Sequence, residues 1–390
     1  MFNIESACKT MTLFPAILIG GPPNSGKSVL FHSLTRALEK RNLPSFYALR
    51  AAPDGEGHWA QEITSDRLSQ LRFKAQWDQR WIDVTCRDLA ARTMPLLVDV
   101  GGLPTEEQET IFDQCSGAIL LTRADDDAGR AYWRGLMHEH SVEILADLRS
   151  DLHGENSAAT YSDGAVGAIY GTVAHLERGG SRQVAGPVFD AVVQRLAHVF
   201  GLSKEQVDGE NLAAAPSDAQ RVDYSEVARH RYFGTSAWPS SWPEADLQAL
   251  IDETPANVPL AVYGAKPAWL CAALGVQRQV RYVFDVRQGW LRPPMLRVCS
   301  PEEVSWQMDE QIAIGLKPVD EHTVRLHLTR RRKHYYLDYA ACNNMALPYI
   351  SPDQTVRLNG ALPMWLYVAL GHAYRHLRGV IGEQAQIVAS

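Results

Sequence analysis

The feature that most constrains this chain is a glycine-rich loop near its start, G-P-P-N-S-G-K-S at residues 21–28. An apolar run at 14–19 precedes the loop, and a stretch with helical periodicity at 29–38 follows it. A strand, a loop and a helix in this order form a phosphate site, because the backbone N–H groups at the helix start point at one anion. The loop therefore predicts an α/β fold and a nucleoside triphosphate site at the end of its first strand.

The residues of this loop have expected roles in that site. Lys27 reaches the β- and γ-phosphate oxygens, and the Ser28 hydroxyl ligates Mg²⁺. Contacts to the nucleotide are expected from Gly21, Pro22, Pro23, Asn24, Ser25, Gly26, Lys27, Ser28 and Val29. The expected cofactors are ATP and Mg²⁺. The sequence does not separate ATP from GTP, because it has no evident N-K-x-D pattern and adenine sites lack a dependable short motif.

An acidic residue completes the expected metal site. The apolar run at 95–100 contains Asp99, and a carboxylate at the C-terminal end of such a strand lies beside the phosphate loop and holds Mg²⁺ through water. The alternative is an aspartate that caps the following turn. Asp54 and Glu56, in a loop after the second strand, are candidates for the residue that orients the attacking water, with a flexible acidic turn as the alternative. Lys27 and Asp99 orient the triphosphate and the metal.

Short apolar runs recur along the first half of the chain. They occupy 45–49, 95–100, 117–122, 142–148 and 168–173, and a helical stretch follows at 187–200. Strands that alternate with helices indicate a doubly wound, mostly parallel sheet. We therefore predict a P-loop NTPase domain over residues 1–205, and the small, polar segment 206–220 is interpreted as a linker.

The second half of the chain contains an internal repeat. The pattern G-A-x-P-x-W-L-x-x-A-L begins at Gly264 and again at Gly360. This spacing indicates a duplicated small domain, because solenoid repeats are shorter, roughly 20–50 residues. We predict two α+β modules at 221–300 and 301–390, each with a strand, a Gly-x-x-Pro turn and a helix whose tryptophan packs in the core. Alternation at 311–316, 323–328 and 334–339 predicts further strands in the second module.

Composition excludes some classes of partner and compartment. The net charge of −7 argues against binding to duplex DNA, which usually requires a basic domain. No apolar run has membrane length, and residues 1–12 do not read as a signal peptide, so a cytoplasmic protein without membrane contact is expected. The six cysteines are scattered without C-x-x-C spacing and are expected to be free thiols. The basic run 330–334 is either a solvated hairpin tip or a phosphate contact.

The repeat and the segments that follow it resemble the CRISPR-associated ring-nuclease family, whose small domains bind and cut cyclic tetra-adenylate. The family pattern reads G-x-x-P-x-W-L-x-x-x-L-x-H-x-Y-H, followed by a strand and D-P-R-L-G. The resemblance covers both modules, and the regions 20–28 and 53–57 look like the ATPase half of fused family members. It implies a type III CRISPR ancillary protein that couples ATP binding or hydrolysis to a cyclic oligoadenylate, and a homo-oligomer is expected.

The family's catalytic pair is divided between the modules. The second module has His372 but no aspartate in its turn, and the first has Asp285 but no histidine in its helix. One interpretation is a composite site, with His372 as general acid or base and phosphate contacts from Arg287 and the run 330–333. The other is a ligand sensor that has lost catalysis. Ordinary surface histidines are the alternative for His372 and His376, which form a weak metal pattern.

Two further functions use the same motifs. The first is a small-molecule kinase that transfers the γ-phosphate to an acceptor near residues 54–59, with the tandem modules acting in regulation or oligomerisation. The second is a non-catalytic switch whose ATP-bound state recruits a partner. Phosphorylated product on an added nucleoside would favour the kinase. ATP turnover that rises only with cyclic oligoadenylate would favour the CRISPR ancillary protein, and tight ATP binding with neither activity would favour the switch.

Overall fold

The computed structural model describes residues 14–40, 46–51, 79–162, 167–177, 184–226, 246–264, 266–331 and 337–383. The chain divides into two compact units, Met1–Gly209 and Glu210–Ser390. This division lies close to the domain boundary expected at residue 205. None of the helices in the described ranges has the length and apolar character needed to cross a membrane.

Unit one is built on a seven-stranded sheet, here called sheet one. Its strands are β1 (Ala16–Gly20), β2 (Tyr47–Ala51), β3 (Leu96–Val100), β4 (Gly117–Arg123), β5 (Glu143–Asp151), β6 (Thr160–Tyr161) and β7 (Ile169–Ala174). The strand order is β2-β3-β1-β4-β5-β7-β6, and every neighbouring pair is parallel except β6 with β7. The prediction of a mixed α/β fold with a mostly parallel sheet is confirmed.

The helices of unit one follow the apolar spacing of the sequence. They are α1 (Lys27–Glu39), α2 (Gln79–Ala90), α3 (Glu106–Glu109), α4 (Asp127–Glu139), α5 (Pro187–Phe200) and α6 (Lys204–Ala213). In α1 the buried residues Leu30, Leu34 and Leu38 are four apart, so they lie on one face and join the core of sheet one. This packing fixes the start of α1 at the end of the glycine-rich loop that follows β1.

The segment expected to be a linker is helical over its first half, where α6 runs to Ala213. Val207 and Asn211 of this helix are almost fully buried. The sequence shows no apolar stripe here, and the helix is held by these two buried positions rather than by a continuous apolar face.

Unit two contains two four-stranded sheets and one short strand pair. Sheet two has β8 (Gln220–Asp223), β9 (Leu260–Tyr263), β10 (Val280–Asp285) and β11 (Gly289–Leu291), in the order β11-β10-β9-β8. Sheet three has β13 (Ile312–Asp320), β14 (Thr323–Arg330), β16 (Thr355–Asn359) and β17 (Gly379–Gly382), in the order β13-β14-β16-β17. The pair consists of β12 (Arg297–Val298) and β15 (Ala346–Leu347).

Each sheet has three parallel strands and one antiparallel edge strand, which pairs with β10, the last parallel strand, in sheet two but with β14, the first, in sheet three. The helices of unit two are α7 (Leu247–Glu253), α8 (Ala268–Gln277) and α9 (Met364–Tyr374). Helix α8 follows β9 and packs against β17, whereas α9 follows β16 and packs against β10. Each repeated helix therefore packs against the last parallel strand of the other module, and residues of both modules form a single core.

Helices α8 and α9 cross at two glycines that occupy equivalent positions in the repeat. A Cβ atom added to Gly275 would overlap the Val368 carbonyl oxygen and lie 3.1 Å from the Gly371 Cα. A Cβ atom added to Gly371 would overlap the Ala272 carbonyl oxygen and lie 3.0 Å from the Gly275 Cα. The two helix backbones are in direct contact there, and only glycine allows that approach.

One strand expected in the second module does not form where the structure describes it. Of the predicted strand 334–339, residues 337–339 lie outside any strand and lead into a 3₁₀ turn at Ala340–Cys342, and 334–336 lie outside the described residues. The alternation of that segment was misleading because Leu337 and Tyr339 pack against the shared core of unit two from an irregular segment. Both repeat tryptophans are buried, as expected from their motif: Trp269 is 4% exposed and Trp365 is 3% exposed.

Candidate functional site

The glycine-rich loop of unit one has a backbone that few other sequences could adopt. Gly21, Asn24 and Gly26 have φ angles of 145°, 61° and 91°. A Cβ atom on Gly21 would overlap the Leu121 carbonyl oxygen, and one on Gly26 would lie 2.9 Å from the Leu176 Cβ. The loop therefore needs glycine at both positions, and it turns directly into α1, whose first N–H groups have no partner within the helix.

The lysine predicted to bind phosphate, Lys27, is the first residue of α1, where the loop ends. Lys27 is 8% exposed, and its Nζ donates a hydrogen bond of 2.7 Å to the Pro22 carbonyl. Burial lowers the pKa of Lys27 to about 8, against an opposing contribution from Asp99. An anion bound beside Nζ would favour the charged form and raise this pKa, because an opposite charge offsets the cost of burial.

Ser28 and Asp99 are brought together as the sequence predicts. The Ser28 Oγ donates a hydrogen bond of 3.4 Å to Asp99 Oδ2. The same carboxylate oxygen lies 3.9 Å from Arg50 Nε, and Asp99 is 3% exposed. The sequence did not identify Arg50, because the strand predicted at 45–49 ended one residue before it. The signal that could have found it is a basic residue near the end of β2, the strand that neighbours the Asp99 strand, β3.

The donor set at this loop fits Mg²⁺. Hydroxyl and carboxylate oxygens are its usual protein ligands, and it commonly takes only one or two of them together with substrate phosphates. The described residues contain no group of three or more His, Cys, Asp or Glu able to hold a metal. Asp54 and Glu56 lie outside the described residues, so their role stays a prediction.

Unit two has a cleft of about 210 Å³ between elements of its two modules. It is lined by Asp285, Arg287, Gln288, Arg330, Leu337, Ala361, Pro363 and Trp365. Asp285 ends β10, Arg330 ends β14, and Pro363 and Trp365 lie at the start of α9. The cleft thus combines two arginines and one carboxylate from both modules.

Asp285 is held in a defined orientation in this cleft. Its Oδ1 accepts hydrogen bonds from the backbone N–H groups of Arg287 at 2.9 Å and Gln288 at 3.2 Å. Burial raises the pKa of Asp285, although these bonds and one from the Trp365 side chain oppose the shift. Trp365 therefore joins the two modules through a polar contact as well as through the core.

His372 does not lie in this cleft. It is half-buried near the end of α9, and it contacts the backbone of Arg278 in the first module. Burial lowers the pKa of His372, the Arg375 charge lowers it further, and the hydrogen bond to Arg278 partly offsets both. His372 is therefore a mostly neutral imidazole at neutral pH.

The composite site of His372 and Asp285 is not formed within the chain. Arg278, which His372 contacts, precedes β10, whereas Asp285 ends β10. A strand rises about 3.3 Å per residue, so the two contact points are roughly 20 Å apart. The helix crossing aligns the end of α9 with the beginning, not the end, of β10, and His372 is not among the residues that line the cleft with Asp285.

The basic run has two different environments in its described part. Arg330 lines the cleft, in agreement with a phosphate contact. Arg331 donates a hydrogen bond of 2.7 Å to the Gln307 carbonyl and supports a neighbouring turn. Residues 332–334 lie outside the described residues.

Comparison with known families gives one result for the second module. A model of the CRISPR-associated protein family (Cas_csx3) matches residues 330–387, which include β16, α9 and β17. None of the curated proteins matches the chain. The C-terminal module, including the Arg330 and Trp365 side of the cleft, is therefore similar to a CRISPR-associated family.

Proposed function

We propose that this chain is a type III CRISPR ancillary protein in which unit one binds and hydrolyses ATP with Mg²⁺ and unit two binds a cyclic oligoadenylate. The observation that carries the proposal is the cleft of unit two. Two arginines and a half-buried carboxylate meet there, and the side of the cleft that holds Arg330 and Trp365 lies in the segment similar to a CRISPR-associated family. A cleft of about 210 Å³ with cationic side chains at two sides suits one phosphodiester linkage of such a ring rather than the whole ring.

In unit one the loop geometry supports the phosphate half of the proposal. Lys27, buried and with a lowered pKa, gains most from a neighbouring triphosphate, because the phosphate charge offsets the cost of burying the ammonium group. Ser28 and Asp99 would hold Mg²⁺, which neutralises charge on the β- and γ-phosphates when bound. Arg50 lies beside Asp99 and adds a further cation at the same strand ends.

In unit two the chemistry centres on Asp285 rather than His372. Arg287 and Arg330 would bind phosphate oxygens on either side of the carboxylate. The raised pKa of Asp285 suits a group that accepts a proton from a ribose 2′-hydroxyl. Attack of that oxygen on the adjacent phosphorus would break the bond to the 5′-oxygen, which takes up a proton, and leave a 2′,3′-cyclic phosphate.

The test combines ATP turnover with binding and cleavage of labelled cyclic tetra-adenylate. Lys27→Ala should abolish nucleotide binding, and Asp285→Asn should reduce cleavage by about 10²-fold or more while the ring still binds. The matched control is Asp309→Asn, because Asp309 also accepts two backbone N–H groups in a turn of unit two but lies outside the cleft.

Each outcome separates the alternatives. Binding of the ring without cleavage in the unmodified protein would support a sensor. Failure to bind any cyclic oligoadenylate would refute the role of unit two. Transfer of phosphate to an added nucleoside, with no response to the ring, would favour a kinase.

A further inference from the structure

The outer face of sheet three carries a row of cationic side chains across three neighbouring strands. In the strand register, Lys317 of β13 is opposite Arg325 of β14, and Arg325 is beside Arg357 of β16. The intervening residues Val324 and Leu326 point into the core, so the three cations share the other face. A single lateral row of the sheet therefore holds three positive charges.

Such a row is electrostatically unfavourable unless an anion accompanies it. Neighbouring strands are about 4.8 Å apart, and like charges directly opposite one another destabilise a sheet. The row is not a consequence of general basicity, because the chain has a net charge of −7. The concentration of three cations in one row therefore points to a role other than stabilising the sheet.

Glu383 is the one carboxylate that pairs with these cations among the described residues. Its Oε2 accepts from Arg325 Nε at 3.0 Å and its Oε1 from Arg325 Nη2 at 3.2 Å. Arg357 Nη1 donates to Oε1 at 3.4 Å, and Asn359 Nδ2 donates to Oε2 at 3.2 Å. The two parallel bonds from Arg325 form the fork that arginine also makes with phosphate.

This cluster has more donors and more positive charge than Glu383 can satisfy. Arg357 Nε is shielded from solvent and has no hydrogen-bond partner among the described residues. Within the same described residues, Lys317 makes no ion pair and is exposed. Within this cluster, three cations against one carboxylate leave a surplus of two positive charges, and Asp320, paired with Thr323 at the end of β13, is a further carboxylate on the face.

We propose that this face is a phosphate-binding surface, in which Arg325, Arg357 and Lys317 bind phosphate oxygens and Glu383 is an internal carboxylate that the incoming phosphate displaces. The ligand class is a chain or cluster of phosphate groups. The Glu383 carboxylate, which accepts the two parallel hydrogen bonds from Arg325, occupies the position of one phosphate group. Asn359 supplies a neutral donor beside it. None of these residues lines the Asp285 cleft, and this proposal does not depend on the function proposed for that cleft.

The remaining residues of the face restrict what it recognises. Its described positions on β14 and β16 are Thr323, Arg325, His327, Thr329, Thr355, Arg357 and Asn359. None of these is Phe, Tyr or Trp, the side chains on which single-stranded bases most commonly stack. The surface is therefore expected to bind phosphates without preference for base sequence.

The experiment measures binding of two probes to the full chain, a short fluorescein-labelled linear oligoadenylate and inorganic tripolyphosphate. The double variant Arg325→Gln with Arg357→Gln should weaken binding of whichever probe the unmodified protein binds about tenfold. It should also make the affinity for that probe less dependent on salt concentration. Glu383→Gln should tighten binding about threefold to fivefold, because the competing charge is removed from a partly exposed pair. Preferential binding of the oligoadenylate would identify a nucleic-acid backbone as the source of phosphate, and equal binding a general polyphosphate.

The matched control is the Arg297 and Glu303 pair, which is likewise exposed and lies in the same unit. Arg297→Gln and Glu303→Gln should leave both affinities unchanged. Tighter binding by Glu383→Gln cannot come from misfolding, so it protects the test against a destabilised arginine variant. The proposal is overturned if Glu383→Gln weakens binding or has no effect, or if the arginine variants bind as the unmodified protein does.

Discussion

Gly371→Ala is expected to destabilise unit two even though alanine is the better helix former. In a free helix this exchange gains about 1 kcal/mol. At the crossing of α8 and α9 the new methyl group would meet the Ala272 carbonyl oxygen and the Gly275 Cα. Both obstacles are backbone atoms of a helix, so no side-chain rotation can relieve the overlap.

The size of the effect follows from these two opposing terms. Overpacking a well-packed core costs roughly 1–3 kcal/mol, and a backbone obstacle places this site near the upper end. After subtraction of the propensity gain, we expect a net loss of about 1–2 kcal/mol. The double variant with Gly275→Ala should lose less than twice this amount, because helices already displaced by one methyl group meet the second at lower cost.

The assay is urea denaturation followed by circular dichroism, with hydrogen exchange to locate the change. Gly371→Ala should lower the midpoint and speed amide exchange in α8 and α9. Gly135, in the middle of α4, is the control, because an added Cβ there meets no atom within 4 Å. Gly135→Ala should raise stability by up to about 1 kcal/mol. A rise for Gly371→Ala of the same size would refute the close helix contact.

Three further substitutions have expected effects on stability. Burial lowers the pKa of His140, but its hydrogen bonds to Asp113 and Glu109 outweigh burial and raise the pKa above 6.5. His140→Gln should therefore reduce the free energy of unfolding most below pH 6.5. In urea titrations at several pH values, the difference between the variant and the unmodified protein should disappear as the pH rises through the pKa of the folded state. Burial and the Arg375 charge lower the pKa of His372 by more than its hydrogen bond to the Arg278 backbone raises it. The unmodified protein should therefore lose stability as the pH falls below 6.5. His372→Gln should remove that loss, as measured by melting curves at a series of pH values. Lys266 is 4% exposed, and burial lowers its pKa; among the described residues its Nζ donates one hydrogen bond, to the Gly264 carbonyl. Lys266→Met should therefore raise the urea midpoint at neutral pH.

Much of the fold could be predicted because its signals are local. Apolar runs mark β1, β3, β4 and β5 to within a few residues, and the repeat marks α8 and α9. Helix α6 could not be predicted in this way, because two buried positions hold it rather than a periodic face. The alternation at 337–339 failed for the opposite reason, since irregular backbone can also direct alternate side chains to a core.

The candidate sites divide along the same line. Lys27 and Ser28 belong to a contiguous motif, and Asp99 follows from its strand, so sequence reasoning finds them. Arg50 acquires its place only because β2 lies next to β3 in the sheet. Likewise Glu383 meets Arg325 through the order of sheet three, which no local pattern encodes.

The helix crossing also explains why His372 does not line the cleft that contains Asp285. Because Gly275 and Gly371 occupy equivalent repeat positions and touch each other, the modules are related by an approximate twofold exchange of α8 and α9. Such an exchange matches the end of one helix with the beginning of the other module's last parallel strand, and so His372 meets the backbone of Arg278. Asp285, at the far end of β10, instead faces the start of α9 and Trp365. Restoring histidine to the first module at Val276, the repeat equivalent of His372, is therefore expected to leave the Asp285 cleft chemically unchanged.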